Sequence, residues 1–246
     1  MPVTDLRATA KNTLIVALDV PSAADARRLV TALKGRVGLF KVGLELFVST
    51  GPSLIDAIAD LGDADVFLDL KLHDIPATVR AAIAAASRPR VRFLTVHCEQ
   101  SDSLSGPDTR ATSPQLLGVT ALTSLGKTEM AATGWYAPDL TVEGLVLRRA
   151  AIARDAGCAG VVCSGHEVRA IKQTFGPDFL VVTPGIRPAW AAVPGDDQRR
   201  ATTPAEAIAA GADFIVVGRP IRAAKDPAEA ADRVTEEIAR AISQTP

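Results

Sequence analysis

Cysteine, histidine and aromatic residues are all scarce in this sequence of 246 residues. Its three cysteines, Cys98, Cys158 and Cys163, are too few and odd in number for the disulfide framework of a small secreted protein. The three histidines are scattered, and neither an HxH nor an HExxH spacing occurs. We therefore expect cysteines that are buried in the core and no metal site of the usual histidine-containing kind.

An excess of charge and a long apolar run are also lacking. Lysine and arginine number 27 against 28 acidic residues, whereas a nucleic-acid-binding protein needs a basic excess. No run approaches about 18 uninterrupted apolar residues, the length that predicts a membrane span. Residues 1–5 carry neither the basic nor the apolar region of a secretory leader. These features predict a soluble, cytoplasmic protein with no nucleic-acid or membrane partner, in which local groups bind any anionic ligand.

Hydrophobic residues make up 48% of the sequence, enough for one large core. They occur in short β-branched runs that alternate with longer, alanine-rich stretches of helical pattern. We predict eight strands, at residues 14–18, 39–42, 66–71, 91–96, 116–122, 160–163, 179–183 and 214–217. The helical stretches between and after them are residues 23–33, 53–61, 77–86, 142–156, 166–175, 204–210 and 227–242.

This alternation predicts the fold class. Strands that are apolar along nearly their whole length, each followed by an amphipathic helix, are typical of a parallel sheet buried on both faces. Such units, repeated through a chain of this size, predict an α/β protein, a single-domain (β/α)8 TIM barrel over residues 1–246. A doubly wound open sheet has the same alternation and is the alternative.

One segment, residues 99–114, departs from the pattern. Leu104 is its single large apolar residue, and turn-forming residues run throughout. A helix between the fourth and fifth strands of a barrel needs an apolar stripe, which this segment lacks. We expect a loop or a short, distorted helix there.

Charged residues end the first three predicted strands. Asp19 ends the first, Lys41 the second, and Asp69 and Lys71 the third, while Asp74 follows before the next helix. Asp69 and Lys71 are two residues apart, so their side chains share one face of the strand. Burying either charge without a partner would cost several kcal/mol. In a barrel the chemistry lies at the carboxyl ends of the strands. The pattern therefore favours a self-neutralising array of charges over ordinary strand ends that meet water.

The segment DLKLHDIPAT, from Asp69 to Thr78, closely resembles the DxKxxDIPxT signature of the orotidine 5′-phosphate decarboxylase family. Related phosphosugar barrels share DxKxxD, so this signature alone is moderately specific. Further segments resemble the other blocks of the family in order: Ala17-Leu-Asp19, Lys41-Val-Gly-Leu-Glu-Leu-Phe47, Val119-Thr-Ala-Leu-Thr-Ser124, Gly160-Val-Val-Cys-Ser164, Thr183-Pro-Gly-Ile-Arg187, Gly195-Asp-Asp-Gln198 and Val217-Gly-Arg-Pro220. Together these blocks cover nearly the whole chain and are highly specific.

The resemblance implies an enzyme that converts orotidine 5′-phosphate (OMP) to UMP and CO₂ with neither a metal nor a cofactor. It implies that Lys71 is the proton donor to C6 of the pyrimidine and that Asp69 lies against the departing carboxylate. Lys41 pairs with Asp69, and Lys41 and Asp19 hold the ribose hydroxyls. A cation fixed beside the developing carbanion is preorganised electrostatic stabilisation.

The remaining site residues are also implied by the resemblance. Asp74 completes the charge network from the opposite subunit of a homodimer, with Thr78 nearby. Thr123, together with Ser124, contacts the pyrimidine. Arg187 and Gln198 line a lid, and Gln198 reaches the phosphate. Gly218 and Arg219 follow the eighth predicted strand, where phosphosugar barrels commonly bind their phosphate. Residues 184–203 form a long segment rich in glycine, proline and polar residues, which suits a lid over the substrate.

Two other functions stay open. The first is a Mg²⁺-dependent keto-sugar phosphate decarboxylase or synthase of the same superfamily, for which Glu45 is the nearby additional acid. The second is a non-catalytic barrel that binds uridine nucleotides, which we would expect to lack Lys71 or Asp69. Elsewhere, His73 and His97 are interpreted as structural residues, and the helical stretch that contains Arg149 as a solvated face.

Overall fold

Parallel strands pair in sequence order, and the last closes against the first to form a barrel. The computed structural model describes residues 3–98, 114–123, 141–191 and 200–244. The strands are β1 Leu14–Ala17, β2 Leu39–Gly43, β3 Asp65–Leu72, β4 Val91–His97, β5 Gln115–Val119, β6 Gly160–Val162, β7 Leu180–Thr183 and β8 Phe214–Val217. The predicted (β/α)8 barrel is confirmed, and the open sheet is excluded because β1 and β8 pair.

Helices surround this barrel. They are α1 Val3–Thr13, α2 Ala23–Leu33, α3 Leu44–Thr50, α4 Ser53–Gly62, α5 Pro76–Ala86, α6 Val142–Asp155, α7 Val168–Phe175, α8 Pro204–Ala210, α9 Arg219–Arg222 and α10 Pro227–Gln244. Local sequence sets several of their starts. The Ser22 hydroxyl accepts from the Asp25 N–H at 3.1 Å, and Thr203 forms a capping box with Glu206. In the described part of the chain, no helix is long and apolar enough to cross a membrane.

Two apolar layers follow from the alternation of side chains along each strand. The larger layer lies between the strands and the helices, and the smaller one fills the barrel. Within the smaller layer, Phe93 makes edge-on contacts with Phe67 and Phe214, with ring centroids 6.1 and 5.1 Å apart. This layer is the floor beneath the carboxyl ends of the strands.

Helices α1 and α3 were not predicted from the sequence. Ala10 and Thr13 are the buried side chains among those described in α1, and Leu46 is the buried one in α3. With so few buried side chains, neither segment shows a helical periodicity in its sequence. Packing against the rest of the protein stabilises these helices. Residues 99–113, most of the segment expected to be irregular, lie outside the described residues.

The predicted end of β5 was wrong. The strand stops at Val119 rather than at residue 122. The Thr120 carbonyl accepts from the guanidinium of Arg149, which is buried. The interpretation of the Arg149 stretch as a solvated helix face is therefore corrected at this residue. Arg149 completes the backbone hydrogen bonding where β5 turns away from the barrel.

Candidate active site

The charges that end β1, β2 and β3 meet in a continuous array. Lys41 Nζ lies 2.9 Å from Asp19 Oδ1 and 3.5 Å from Asp69 Oδ2. Lys71 Nζ lies 2.7 Å from Asp69 Oδ1. Lys41 is 9% exposed, so its charge is compensated by these carboxylates rather than by water. Two cations and two anions thus alternate within contact distance.

The register of the strands explains why these residues meet. Phe67, Asp69 and Lys71 occupy alternate positions of β3, and all three line the same cavity. In the pairing of β2 with β3, Gly43 is opposite Asp69. A Cβ atom at Gly43 would lie 2.9 Å from Lys41 Nζ, so any larger residue there would displace the ammonium from its present position. The array is therefore the polar continuation of the interior apolar layer.

The protonation states of the array follow from its geometry. Burial alone would lower the pKa of Lys41, but attraction to Asp69 and Asp19 outweighs burial and raises this pKa. Burial alone would raise the pKa of Asp69, but attraction to Lys41 and Lys71 outweighs it and lowers this pKa. Lys41 and Asp69 are therefore charged between the ordinary pKa values of aspartate, about 3.9, and lysine, about 10.4.

Lys71 has a strained backbone conformation. Its φ is +51°, in the left-handed region that non-glycine residues seldom occupy, at a cost of about 1–3 kcal/mol. The ladder between β3 and β4 changes register between Leu68 and Leu72, so Lys71 lies in an irregular stretch of β3. Strained residues held by their surroundings cluster at active sites, and bulges re-aim side chains beside them.

A threonine that the sequence interpretation missed supports this stretch. The Thr95 hydroxyl accepts from the Lys71 N–H at 2.8 Å and donates to Asp69 Oδ1 at 3.0 Å. Thr95 alternates with Phe93 and His97 on β4, and this inward register was the signal that could have identified it.

A cavity of about 350 Å³ opens above the array, a size that suits a small-molecule ligand. Its walls come from β5 to β8 and the segments after them. The lining residues are Lys41, Phe67, Asp69, Lys71, Val119, Ala121, Leu122, Thr123, Val162, Cys163, Pro184 and Val216. The predicted Thr123 is among them, in the segment after β5. Its neighbour Ser124 lies outside the described residues.

A buried ion pair holds the β5 wall of the cavity. Arg200 donates to Glu167 Oε1 at 2.7 Å and to the carbonyl oxygens of Ala121 and Leu122 at 3.4 and 3.5 Å. Burial raises the pKa of the Glu167 carboxyl, although Arg200 opposes that effect. These contacts fix the backbone immediately before Thr123, and the sequence interpretation missed them because they join segments distant in the chain.

Three predicted substrate-binding residues lie on the segments that follow β7 and β8. The Arg187 side chain donates to the Ile186 carbonyl at 2.9 Å, and its backbone N–H donates to the Thr202 carbonyl at 2.8 Å. Gly218 and the exposed Arg219 come directly after β8. A Cβ atom at Gly218 would be 3.8 Å from Asp19 Oδ2, so this end of β8 adjoins the array. The predicted Gln198 lies outside the described residues.

Asp74 and Thr78 are not brought to the array within this chain. Both are exposed, and Asp74 Oδ1 accepts from the Ile75 N–H at 2.6 Å. Among the described residues, no ion pair joins Asp74 to Lys41 or Lys71. Their predicted role therefore requires a second subunit.

The two histidines near the mouth pack together. The ring centroids of His73 and His97 are 4.8 Å apart, with the planes inclined at 32°. Glu45, the acid considered for a metal-dependent function, is exposed in the first turn of α3. No group of three or more histidine, cysteine, aspartate or glutamate residues converges among the described residues.

A closed parallel barrel with a buried charge array beneath a cavity at the carboxyl ends of its strands defines an α/β-barrel enzyme. The family model described as "Orotidine 5'-phosphate decarboxylase / HUMPS family" matches residues 12–234. The chain therefore belongs to this family.

Individual relatives agree over nearly full length. Orotidine 5′-phosphate decarboxylase from Desulfosudis oleivorans is 48% identical over 237 residues, which cover 94% of this chain and 95% of that protein. The enzyme of the same name from Syntrophotalea carbinolica is 45% identical, with coverage of 96% and 98%. The crystal structure of orotidine 5′-phosphate decarboxylase from Lactobacillus acidophilus matches with a TM-score of 0.76 and 34% identity, over 92% of this chain and 98% of that chain.

Proposed function

We propose that this enzyme decarboxylates OMP to UMP, with its own side chains as the only catalytic groups. The observation that carries the proposal is the pairing of Lys71 and Asp69 at 2.7 Å on the floor of the cavity. Loss of CO₂ from C6 leaves an electron pair in an sp² orbital that the pyrimidine ring cannot delocalise. A fixed ammonium beside that carbon stabilises the charge as it forms, because a preorganised cation needs no reorganisation at the moment of reaction.

Lys71 and Asp69 have complementary roles in the proposed reaction. The carboxylate of the substrate lies against Asp69, and the bond from C6 to that carboxylate breaks to release CO₂. Lys71 Nζ then gives a proton to C6, so that one proton is consumed for each CO₂ released. The contact with Asp69 Oδ1 holds Lys71 Nζ beside C6 until the proton is transferred.

The ribose and the base are bound on either side of this pair. We assign the ribose hydroxyls to Asp19 and Lys41, which are 2.9 Å apart and project from neighbouring strands. We assign an edge of the pyrimidine to Thr123, on the β5 wall. The 350 Å³ cavity accommodates one nucleotide base with its sugar, which supports a small-molecule substrate over a polymer.

The phosphate is assigned to the segments after β7 and β8. Gly218 allows close approach to the backbone, and Arg219 supplies a guanidinium fork that matches phosphate oxygens. Because Gly218 adjoins Asp19, a phosphate there is next to the assigned ribose site. Gln198 completes the proposed phosphate contacts. Arg187 and Gln198 both belong to the segment of residues 184–203, which we propose as a lid over the substrate.

Arg219→Ala is expected to weaken UMP binding by about 1.5–3 kcal/mol, the usual contribution of a hydrogen bond to a charged group. Uridine binding, which involves no phosphate, should change little. Calorimetric titration of the parent protein and the Arg219→Ala variant, each with UMP and with uridine, measures these changes in affinity. Arg222→Ala, from the other end of α9, is the matched control. Equal affinities of the parent protein for uridine and UMP would contradict the phosphate assignment.

The proposed enzyme is a homodimer that joins at the mouths of its barrels. Leu44 and Val48, one turn apart on α3, are 54% and 80% exposed, and Ile75 is 63% exposed beside Asp74. Since β2 and β3 are paired, these apolar residues lie on neighbouring βα units around the mouth. A second copy that covers them would bring its Asp74 and Thr78 toward the array, which supports the assignment of both residues to the partner's site.

The metal-dependent alternative predicts a different response to chelation. We expect the rate of OMP decarboxylation to be unchanged after exhaustive treatment of the enzyme with EDTA. The rate is measured from the fall in absorbance as OMP is consumed. Lys41 and Lys71 already supply the positive charge that Mg²⁺ would supply in a metal-dependent reaction. Loss of activity that returns on addition of Mg²⁺ would contradict the proposal, as would the absence of any turnover of OMP.

We also propose that the enzyme acts in the cytoplasm. Cys98, Cys158 and Cys163 all lie in the described part of the chain, and they are buried and form no disulfide. Buried thiols without disulfides are usual in proteins of reducing compartments.

A further inference from the structure

Thr95 is a fully buried hydroxyl residue in contact with the proposed catalytic pair. It is on β4, two residues beyond the apolar floor residue Phe93, and has 0% exposure. Its oxygen is 2.8 Å from the backbone nitrogen of Lys71 and 3.0 Å from Asp69 Oδ1. A single side chain thus touches the backbone of one member of the pair and the carboxylate of the other.

The direction of both hydrogen bonds is fixed by chemistry. The Lys71 N–H can only donate, so Thr95 Oγ1 is the acceptor of that bond. The one hydroxyl hydrogen of Thr95 is then directed at the ionised Asp69, which can only accept. A valine has the same shape as threonine but can do neither, and would leave a buried N–H without its partner.

The irregular backbone at Lys71 makes this N–H unusual. The β3–β4 register shift between Leu68 and Leu72 breaks the regular ladder there, and a side chain takes the place of a strand carbonyl as acceptor. The left-handed φ of Lys71 needs such support, because strained residues persist only where their surroundings hold them.

We propose that Thr95 is a positioning residue for decarboxylation, whose hydroxyl locks the Lys71 backbone to the Asp69 carboxylate and thereby sets the aim of Lys71 Nζ. The inference deepens the proposed function and rests on it for the roles of Lys71 and Asp69. Thr95 does not itself touch the reacting atoms. Its effect on the rate comes through the position of the other two residues.

The electrostatic surroundings of Asp69 make the inference measurable. The carboxylate is faced by Lys41 from β2, by Lys71 from its own strand and by Thr95 from β4, while Asp19 reaches it through Lys41. Burial acts to raise the pKa of Asp69, and these cations and the Thr95 hydroxyl act to lower it. Removing the hydroxyl therefore raises this pKa.

Thr95→Val is expected to lower kcat for OMP by about 10- to 100-fold while KM changes by less than about threefold, because misalignment affects the chemical step more than binding. The acid limb of the kcat/KM profile should move to higher pH, since Asp69 is protonated more readily. Thr95→Ser keeps the hydroxyl and is expected to restore both the rate and the profile.

Thr235→Val is the matched control. Thr235 is 3% exposed on α10, and its hydroxyl has no hydrogen-bond partner among the described residues. This substitution should leave kcat, KM and the pH profile unchanged. If Thr95→Val behaves as Thr235→Val does, the positioning role is wrong. If Thr95→Val does not fold, Thr95→Ala and Thr95→Ser still isolate the hydroxyl, because both lack the methyl group.

Amide hydrogen exchange of Lys71 tests the inference without OMP. Exchange at this amide should accelerate in Thr95→Val and return toward the parent rate in Thr95→Ser. A parent protein that does not turn over OMP but shows this pattern would overturn the proposed function and leave the Thr95 lock in place. An active parent, with unchanged Lys71 exchange and kcat in Thr95→Val, would overturn the Thr95 inference alone.

Discussion

Lys71→Ala is expected to abolish decarboxylation while UMP binding survives. The substitution removes both the cation beside C6 and the proton that C6 receives. General acid catalysis contributes about 10²- to 10⁴-fold to a rate, and electrostatic stabilisation by one group contributes about 10²- to 10³-fold. The two effects act at one atom, Lys71 Nζ, so we expect kcat to fall by at least about 10⁴-fold.

The measurement combines a spectrophotometric OMP assay with calorimetric titration by UMP. Lys172→Ala is a suitable control, because Lys172 Nζ is also 2.7 Å from a carboxylate, that of Asp213, but lies outside the cavity. Loss of that ion pair should lower stability and leave kcat close to that of the parent. Turnover by Lys71→Ala near the parent rate would remove Lys71 as the proton donor. Loss of UMP binding in the same variant would instead indicate a damaged pocket.

The charge array was predictable from the sequence because strands impose a period of two. Asp69 and Lys71 interrupt an apolar run at alternate positions, and the cost of burying either alone predicted that they pair. Their contact at 2.7 Å agrees with that reasoning. Lys41 and Asp19 could be added because parallel strands present their carboxyl ends at the same edge of the barrel.

The sequence could place Thr95 on the inward face of β4, but neither its contact with Asp69 nor the backbone conformation of Lys71 could be predicted. A register shift between β3 and β4 depends on how two whole strands pack, and no local pattern at Lys71 encodes its φ of +51°. Threonine inside a strand is ordinary, since β-branched residues favour strands. Only the position of its hydroxyl relative to Asp69 distinguishes it, and that position is a tertiary property.

The end of β5 illustrates a second limit. The apolar pattern continues through Leu122, but the strand ends at Val119, and two arginines donate to the carbonyl groups that follow it. Arg149 comes from α6 and Arg200 from the segment before α8. The residues that bind the backbone at this end are 29 and 79 positions away in the chain, so the periodicity within β5 carries no information about them.

Mixing Lys71→Ala subunits with Asp74→Asn subunits is expected to restore activity that neither variant has alone. In the proposed homodimer, each site takes Lys71 from one subunit and Asp74 from the other. A mixed dimer then holds one site with both residues intact and one with both replaced. Random exchange of subunits makes half of the dimers mixed, so about a quarter of all sites should be active.

An arrangement in which Asp74 acts within its own subunit predicts a different fraction of active sites. If Asp74 acted within its own subunit, every site of the mixed dimer would lack either Lys71 or Asp74, and mixing would restore nothing. Val48→Asp, introduced into both variants, is the control, because a charge in the exposed apolar surface of α3 should prevent association and abolish the recovery. Analytical ultracentrifugation should show this pair of variants as monomers.

Recovery of about a quarter of the parent activity, lost when Val48→Asp is added, would identify Asp74 as a residue that acts across the interface. It would also explain why this carboxylate is exposed in a single subunit.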